Sequence, residues 1–307
     1  MISVVICTFN RAADLRRMMQ SFFRQNRLAE IEFELLIIDN NSRDNTAAVV
    51  HELSNYPNTR YVFEPKQGLN FARNRGVAEA KGQFVSFLDD DVLVDQNWLF
   101  NLKRSFEETN ADVVGGKVSL NFDVPPESWF KGLFRICLAE VDLGTSRKEV
   151  DNGDRLYGAN LSFRKIIFES VGQFEAGLDR CGNELLSGGE TELVRRIVSQ
   201  KGKLIYDPQV SVEHVIGAQR LQWQYFVKRA RGDGLTKEIL DPKSSCGFQI
   251  LRVCRAAVEF IKASSTLWVY CFRDKNSYER KLAEFIALRE RSFLVARIAR
   301  LIGAGSK

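Results

Sequence analysis

Apolar and polar positions along the first 120 residues alternate between two periods. Residues 2–7 (ISVVIC) form a β-branched apolar run, and residues 33–38 (FELLII) form another that ends at Asp39. Shorter runs follow at 60–63 and 83–88. Between them, residues 14–24 place Leu15, Met18, Met19, Phe22 and Phe23 on one helical face, and residues 46–53 and 69–80 also read as helices. Strands alternating with helices over short connections predict a parallel sheet with helices on both faces. Largely apolar strands such as SVVIC and ELLII suit a sheet covered on both sides.

The second half is less regular. Residues 112–120 are strand-like, and residues 123–129 carry two prolines and read as a loop. Strands are expected at 161–163, 204–206 and 210–212, with a helix at 191–200. From residue 221 the pattern is helical, with breaks expected at the glycines of 232–234 and at 241–247. A domain boundary therefore falls near 240, with a helical extension over 241–307. There is no internal repeat and no apolar run of about 18 residues that would suggest a spanning helix.

Composition narrows the class only modestly. The chain of 307 residues is 45% hydrophobic and 27% charged with a net charge of +5, ordinary for a globular protein with a sizeable core. The mild positive charge fits an anionic small ligand or an anionic membrane surface, and no nucleic-acid-binding pattern accompanies it. Six cysteines are scattered without a paired spacing, so a disulfide framework is not expected and a reducing cytoplasm is the default.

The chemistry concentrates just after the strand ends: Thr8 and Asn10, Asp39 to Ser42, and Asp89 to Asp91. Ligands of open α/β sheets bind at the carboxyl ends of the strands, so these clusters converge on one crevice. Three adjacent carboxylates repel one another, and a hard divalent cation such as Mg²⁺ or Mn²⁺ relieves that repulsion. The plainer reading of Asp89, Asp90 and Asp91 is an acidic turn before the next helix. His214, one of two histidines, reads first as a structural side chain in a strand. Glu190 and Glu192 would suit the first turn of a helix through its macrodipole.

Seven ordered segments settle which readings to carry forward. SVVICTFNR (3–11), IIDNNSRDNT (37–46), GLNFARNRGV (68–77) and FVSFLDDDV (84–92) are followed by YGANLSFRK (157–165), GGETELVRRI (188–197) and VEHV (212–215). Together they resemble the family 2 glycosyltransferases of the GT-A fold, over about residues 2–232. The resemblance implies a Rossmann-like, mostly parallel central sheet, with a catalytic domain at 1–240 divided into a nucleotide-binding part (1–120) and an acceptor-binding part (121–240). It implies that Thr8, Asn10 and Asp39 hold the base and ribose, with Arg73 alongside the nucleotide and Asp89 and Asp90 near ribose and metal. Asp91 and His214 would bind Mn²⁺ or Mg²⁺. Gly158, Asn160 and Glu192 would line the acceptor side, and Glu190 would be the general base.

The implied reaction is inverting transfer of a sugar from a nucleoside diphosphate sugar to an acceptor hydroxyl, with UDP favoured because Asp39 can accept from the uracil ring NH. Polysaccharide or glycoconjugate assembly, on a glycan or lipid-linked acceptor, is the implied setting. One departure bears on the base: where relatives commonly read Glu-Asp-x-Glu-Leu, this chain reads Gly189-Glu190-Thr191-Glu192-Leu193. A one-residue slip would move the role to Glu192. A catalytically silent nucleotide-sugar-binding or scaffold protein is the alternative from another class, and a nucleotidyltransferase ranks below it because TFNRAAD lacks a glycine-rich loop. Residues 279–302 mix apolar and basic positions, which suits peripheral membrane contact at the inner face of the cell membrane, packing on the catalytic domain, or a homodimer.

Overall fold

The structure is a computed structural model describing residues 1–301 except 54, 55, 57, 152–155, 179–184, 242–245, 272 and 273. The side chains of 246–251 and 301 also lie outside the described residues, as do Cys181 and the middle of the glycine-rich loop at 175–187. The chain divides into two compact units. The first comprises Met1–Asn121, Leu138–Gly177 and Gly189–Ile216, and the second Phe122–Cys137, Leu178–Gly188 and Gly217–Lys307.

The first unit begins β1 (Ile2–Thr8), α1 (Ala12–Phe23), β2 (Phe33–Asp39), α2 (Thr46–Glu52), β3 (Thr59–Phe63), α3 (Leu69–Glu79) and β4 (Phe84–Asp89). It continues β5 (Val92–Val94), α4 (Trp98–Thr109) and β6 (Val113–Phe122), whose last residue enters the second unit together with α5 (Leu133–Cys137). Then come β7 (Lys148–Glu149), β8 (Asn160–Arg164), α6 (Ile167–Val171), α7 (Gly189–Ser199) and β9 (Leu204–Ile216). The strands form one sheet in the order β3-β2-β1-β4-β8-β6-β9-β5, with β7 on β9.

The half built from β1 to β4 is parallel, as the alternating pattern predicts, with Thr8 beside Asp39 and Cys7 beside Asp89. The other half is antiparallel: β8 runs against β4 and β6, and β9 against β5 and β7. That half is larger than the patterning suggests, because the direction of β8 and β9 is set by partners far away in the chain. The two short strands expected at 204–206 and 210–212 are one strand of 13 residues that continues through Pro208.

Burial explains the helical periodicities. All seven residues of β2 are buried, so this strand is covered on both faces. Leu15, Met18, Met19 and Phe22 of α1 are fully buried, each contributing roughly 1.5–3 kcal/mol of hydrophobic stabilisation. Phe22 meets Phe33 edge-on at 5.6 Å between ring centres. Helix α3 lies close on β1 at Gly76, where a Cβ would stand 2.4 Å from Val5 Cγ1.

The second unit is helical, with α5, α8 (Trp223–Leu240), α9 (Cys246–Tyr270) and α10 (Tyr278–Leu301). Helix α8 passes unbroken through Gly232 and Gly234, where the sequence suggests a stop. A Cβ at Gly232 would stand 2.1 Å from Leu185 O, and one at Gly234 2.3 Å from Arg289 O. These glycines permit backbone contact and do not end the helix. Helix α8 therefore lies within the second unit, whose last segment is Gly217–Lys307. Trp129, Phe134, Phe226 and Phe285 pack edge-to-face at the centre of the unit.

Candidate active site

Strand β4 delivers Asp89 at its end, and the chain turns at Asp90 and Asp91 into β5. Antiparallel pairing sets Val92 opposite His214, and Val215 N donates to Asp91 O at 2.9 Å. This register brings residues 123 positions apart in sequence onto one spot. Asp89, Asp91 and His214 each offer a ligand atom, all within 4.8 Å of one another.

The orientation of His214 bears on whether a cation fits. Its Nδ1 lies 2.8 Å from Leu138 O, and a carbonyl can only accept, so Nδ1 carries the proton. That bond directs Nε2 at Asp91 Oδ1, 3.2 Å away. In the neutral imidazole this places two lone pairs face to face, an arrangement that a cation between them resolves. Neighbouring ligands of an octahedral ion at about 2.1 Å lie roughly 3 Å apart, so the spacing fits. Two carboxylates and an imidazole suit Mn²⁺ well and Mg²⁺ less well.

Asp90 takes a different part. Its Oδ2 accepts from Thr8 Oγ1 at 2.8 Å and its Oδ1 from Arg11 Nη1 at 2.9 Å. The same Arg11 nitrogen reaches Asp91 Oδ2 at 2.6 Å. Burial pushes the Asp90 carboxyl up to about 6; Arg11 and Thr8 pull against that, while Asp91 and Asp89 reinforce it. Burial also works against the Arg11 charge, but Asp90 and Asp91 more than offset it and its pKa rises. Arg11 does not emerge as a site residue from the linear pattern. The signal for it was a cation immediately after a strand that pairs beside the aspartate strand.

The residues expected on the nucleotide side assemble where β1 and β2 end. Asn10, at φ 53°, donates its backbone N–H to Ser42 Oγ and accepts from Arg43 N, which ties the two turns together. Asp39 is buried and accepts from Ser42 N at 2.9 Å and from the Tyr61 hydroxyl at 2.7 Å. Burial and that hydrogen bond push the Tyr61 phenol above its usual range. Tyr61 is a second residue that the linear reading missed. Nothing in the linear pattern marks it, and on β3 it is 41% exposed.

A separate cluster forms around Glu190. Its Oε2 accepts from Arg73 Nη1 at 3.2 Å, and its Oε1 from Gly158 N at 3.2 Å. A Cβ at Gly158 would lie 2.3 Å from Arg73 Nη2, so a side chain there would push that guanidinium aside. The structure thus joins Glu190, Arg73 and Gly158, drawn from three separate sequence segments. Gly189 has a similar explanation: a Cβ would fall 2.3 Å from Asn70 Nδ2, so Asn70 fills the space that a side chain at 189 would take. Asn70 in turn accepts from Arg73 at 3.1 Å and donates to Glu175 O.

Two expected acceptor-side residues do not join this group. Glu192 is bound through both oxygens by Arg196, which is itself fastened to Val171 O and Gln173 O. Asn160 is 2% exposed and spends its amide on Trp98 Nε1, Lys117 O and Val210 O. It ties β8, β6 and β9 together, where the resemblance implies an acceptor contact. The polar pattern around it could not distinguish these roles, because both require an amide.

Comparison with known proteins agrees with this geometry. The family model for glycosyl transferase family 2 matches residues 3–169. A glucosyl-dolichyl phosphate glucuronosyltransferase of Haloferax volcanii is 25% identical over 247 residues, covering 78% of this chain and 77% of that protein. A GalNAc(5)-diNAcBac-PP-undecaprenol beta-1,3-glucosyltransferase of Campylobacter jejuni is 34% identical over 117 residues, 37% of each chain. Among solved structures, the mannosyltransferase PcManGT from Pyrobaculum calidifontis, in complex with GDP-Man and Mn²⁺, superposes with a TM-score of 0.62 at 14% identity. That match covers 99% of this chain and 88% of the other, and it shows a shared fold. With the family match spanning more than half the chain and the fold in agreement, the chain belongs to glycosyl transferase family 2 and is a glycosyltransferase of the GT-A fold.

Proposed function

We propose that this glycosyltransferase inverts the anomeric centre of a nucleoside diphosphate sugar, with Asp89, Asp91 and His214 holding Mn²⁺ or Mg²⁺ and Glu190 acting as general base. The observation that carries the reading is the convergence of those three ligand atoms within 4.8 Å at the end of the aspartate strand. When bound there, a divalent cation supplies the positive charge that makes the diphosphate a competent leaving group. Thr8, Asn10 and Asp39 bind and orient the base and ribose. Asp39 retains acceptor capacity beside Ser42 N and the Tyr61 hydroxyl, which suits the ring NH of uracil. Glu190 takes the acceptor proton as the new bond forms, and Arg73 and Gly158 N hold the carboxylate in place for it.

For the acceptor we propose a lipid-linked glycan, met at a membrane surface, as the dolichyl and undecaprenol relatives suggest. Among the described residues no helix is long and apolar enough to cross a membrane. Residues 217–307 carry 18 Lys and Arg against 8 Asp and Glu, a balance suited to an anionic surface. Within this unit α10 is poorly suited to lie on lipid. Phe285 and Phe293 are buried, and Arg297 and Arg289 pair with Glu238 and Glu290. Helix α9 instead exposes Val258, Ile261, Trp268 and Val269.

The test is thermal stabilisation by a panel of UDP- and GDP-sugars with Mn²⁺, followed by turnover of whichever donor shifts the melting point. A shift with a UDP-sugar that EDTA abolishes is expected. Stabilisation by GDP-sugars alone would overturn the uridine preference. Stabilisation without any turnover, across lipid-linked and free acceptors, would favour the silent scaffold.

A further inference from the structure

Arg11 stands in the turn that follows β1, and its Nη1 bridges Asp90 Oδ1 and Asp91 Oδ2. The other oxygen of Asp91 faces His214. One carboxylate therefore carries a guanidinium on one side and borders the candidate metal pocket on the other. A divalent cation and a guanidinium sharing that carboxylate repel each other strongly in a partly buried setting. A nucleoside diphosphate changes the balance, because its oxygens offer the guanidinium a fork-shaped partner of opposite charge. The Arg11 side chain is 32% exposed, so it can leave the aspartates without unpacking the core, and Asp90 keeps its bond from Thr8.

We propose that Arg11 is an internal counter-cation that occupies Asp90 and Asp91 in the donor-free enzyme and passes to the diphosphate when metal and donor bind. Arg11 is thereby a positioning residue that couples the two ligands. The metal alone meets a carboxylate already neutralised, and the diphosphate draws Arg11 away and opens Asp91 to the metal. By linkage, the metal strengthens diphosphate binding by the same factor. The proposal rests on the metal and diphosphate reading given above.

The experiment titrates Mn²⁺ alone, followed by electron paramagnetic resonance, into nucleotide-free wild type, Arg11→Met, Arg11→Gln and Asp91→Asn, with circular dichroism confirming that each is folded. The titration is repeated with saturating UDP and, in parallel, GDP. Both Arg11 variants are expected to bind Mn²⁺ alone roughly tenfold or more tightly than wild type, within the usual range of site-to-site coupling. In wild type the nucleotide tightens Mn²⁺ binding, and that gain should shrink by roughly tenfold in the Arg11 variants, leaving the part that comes from direct attraction between cation and diphosphate. If they bind Mn²⁺ no more tightly than wild type, or keep its full nucleotide gain, while Asp91→Asn loses the metal, the Arg11 proposal is overturned and the metal site stands. If Asp91→Asn binds Mn²⁺ as well as wild type, the metal site itself is wrong and the proposal falls with it.

Discussion

Replacing Glu190 by Gln separates the proposed base from its neighbour more sharply than any other single change. The substitution keeps the size of the side chain but removes its ability to take a proton. Loss of a positioned general base costs ~10²–10⁴ in kcat, about 2.7–5.5 kcal/mol of barrier. The structure also sets a stability cost. Glu190 receives Arg73 Nη1 on one oxygen and Gly158 N on the other, and the amide can satisfy only one of these donors through its single oxygen. Arg73 is 4% exposed, so the lost charge-assisted bond is worth about 1.5–3 kcal/mol. The folded state should therefore melt several degrees lower while remaining intact at 25 °C. Nucleoside diphosphate release from the donor found by the panel is the assay, with a thermal melt of the same sample. Glu192→Gln is the control, since Arg196 holds Glu192 through both oxygens away from the Arg73 cluster, and its kcat should stay within about threefold of wild type. If Glu190→Gln keeps a third of wild-type kcat while Glu192→Gln loses a hundredfold, the base is Glu192 and the reasoning from the Arg73 cluster is wrong.

Two further predictions concern stability. Burial opposes the charge of Glu34, yet hydrogen bonds from Ser3 Oγ, Lys81 N and Arg60 hold its carboxyl below the usual range. Its contribution is thus fully present above the unfolded pKa of about 4.3 and is lost as pH falls through the lower folded value. Urea titrations should show Glu34→Gln weaker than wild type by about 1.5–3 kcal/mol at pH 7, with the gap closing below pH ~4; an unchanged gap at low pH would refute the assignment. Gly232→Ala should destabilise the helical unit by ~1–3 kcal/mol, because the added methyl meets Leu185 O. A helix-propensity gain and a higher melting point would contradict that packing.

The comparison between linear pattern and structure is clearest at individual residues. The parallel half of the sheet was legible because β1, β2 and β4 are mostly apolar and almost wholly buried, and a strand buried on both faces leaves that mark in any context. The antiparallel half was not, because β8 and β9 read as short apolar segments whose direction depends on partners far away in the chain. The glycines of α8 misled for a related reason. Glycine signals a helix end when the chain alone is considered, whereas at 232 and 234 it answers to neighbouring backbone carbonyls.

The aspartate cluster announced itself by residue type, whereas His214, Arg73, Gly158 and Glu190 were named through the family resemblance of their motifs. Their grouping was another matter. Asp91 meets His214 only through the β5–β9 register, and Glu190 meets Arg73 only where Gly158 leaves room. Arg11 and Tyr61 became visible only through what they touch, and the fastening of β8 to β9 by the Asn160 amide shows only in the folded sheet. The sequence by itself determined the parallel scaffold and the kinds of reactive group, because burial and functional-group chemistry are local properties. Tertiary structure alone decided which of those groups share a carboxylate, a proton or a cation. Such sharing depends on distances of about 3 Å between residues that the chain order holds far apart.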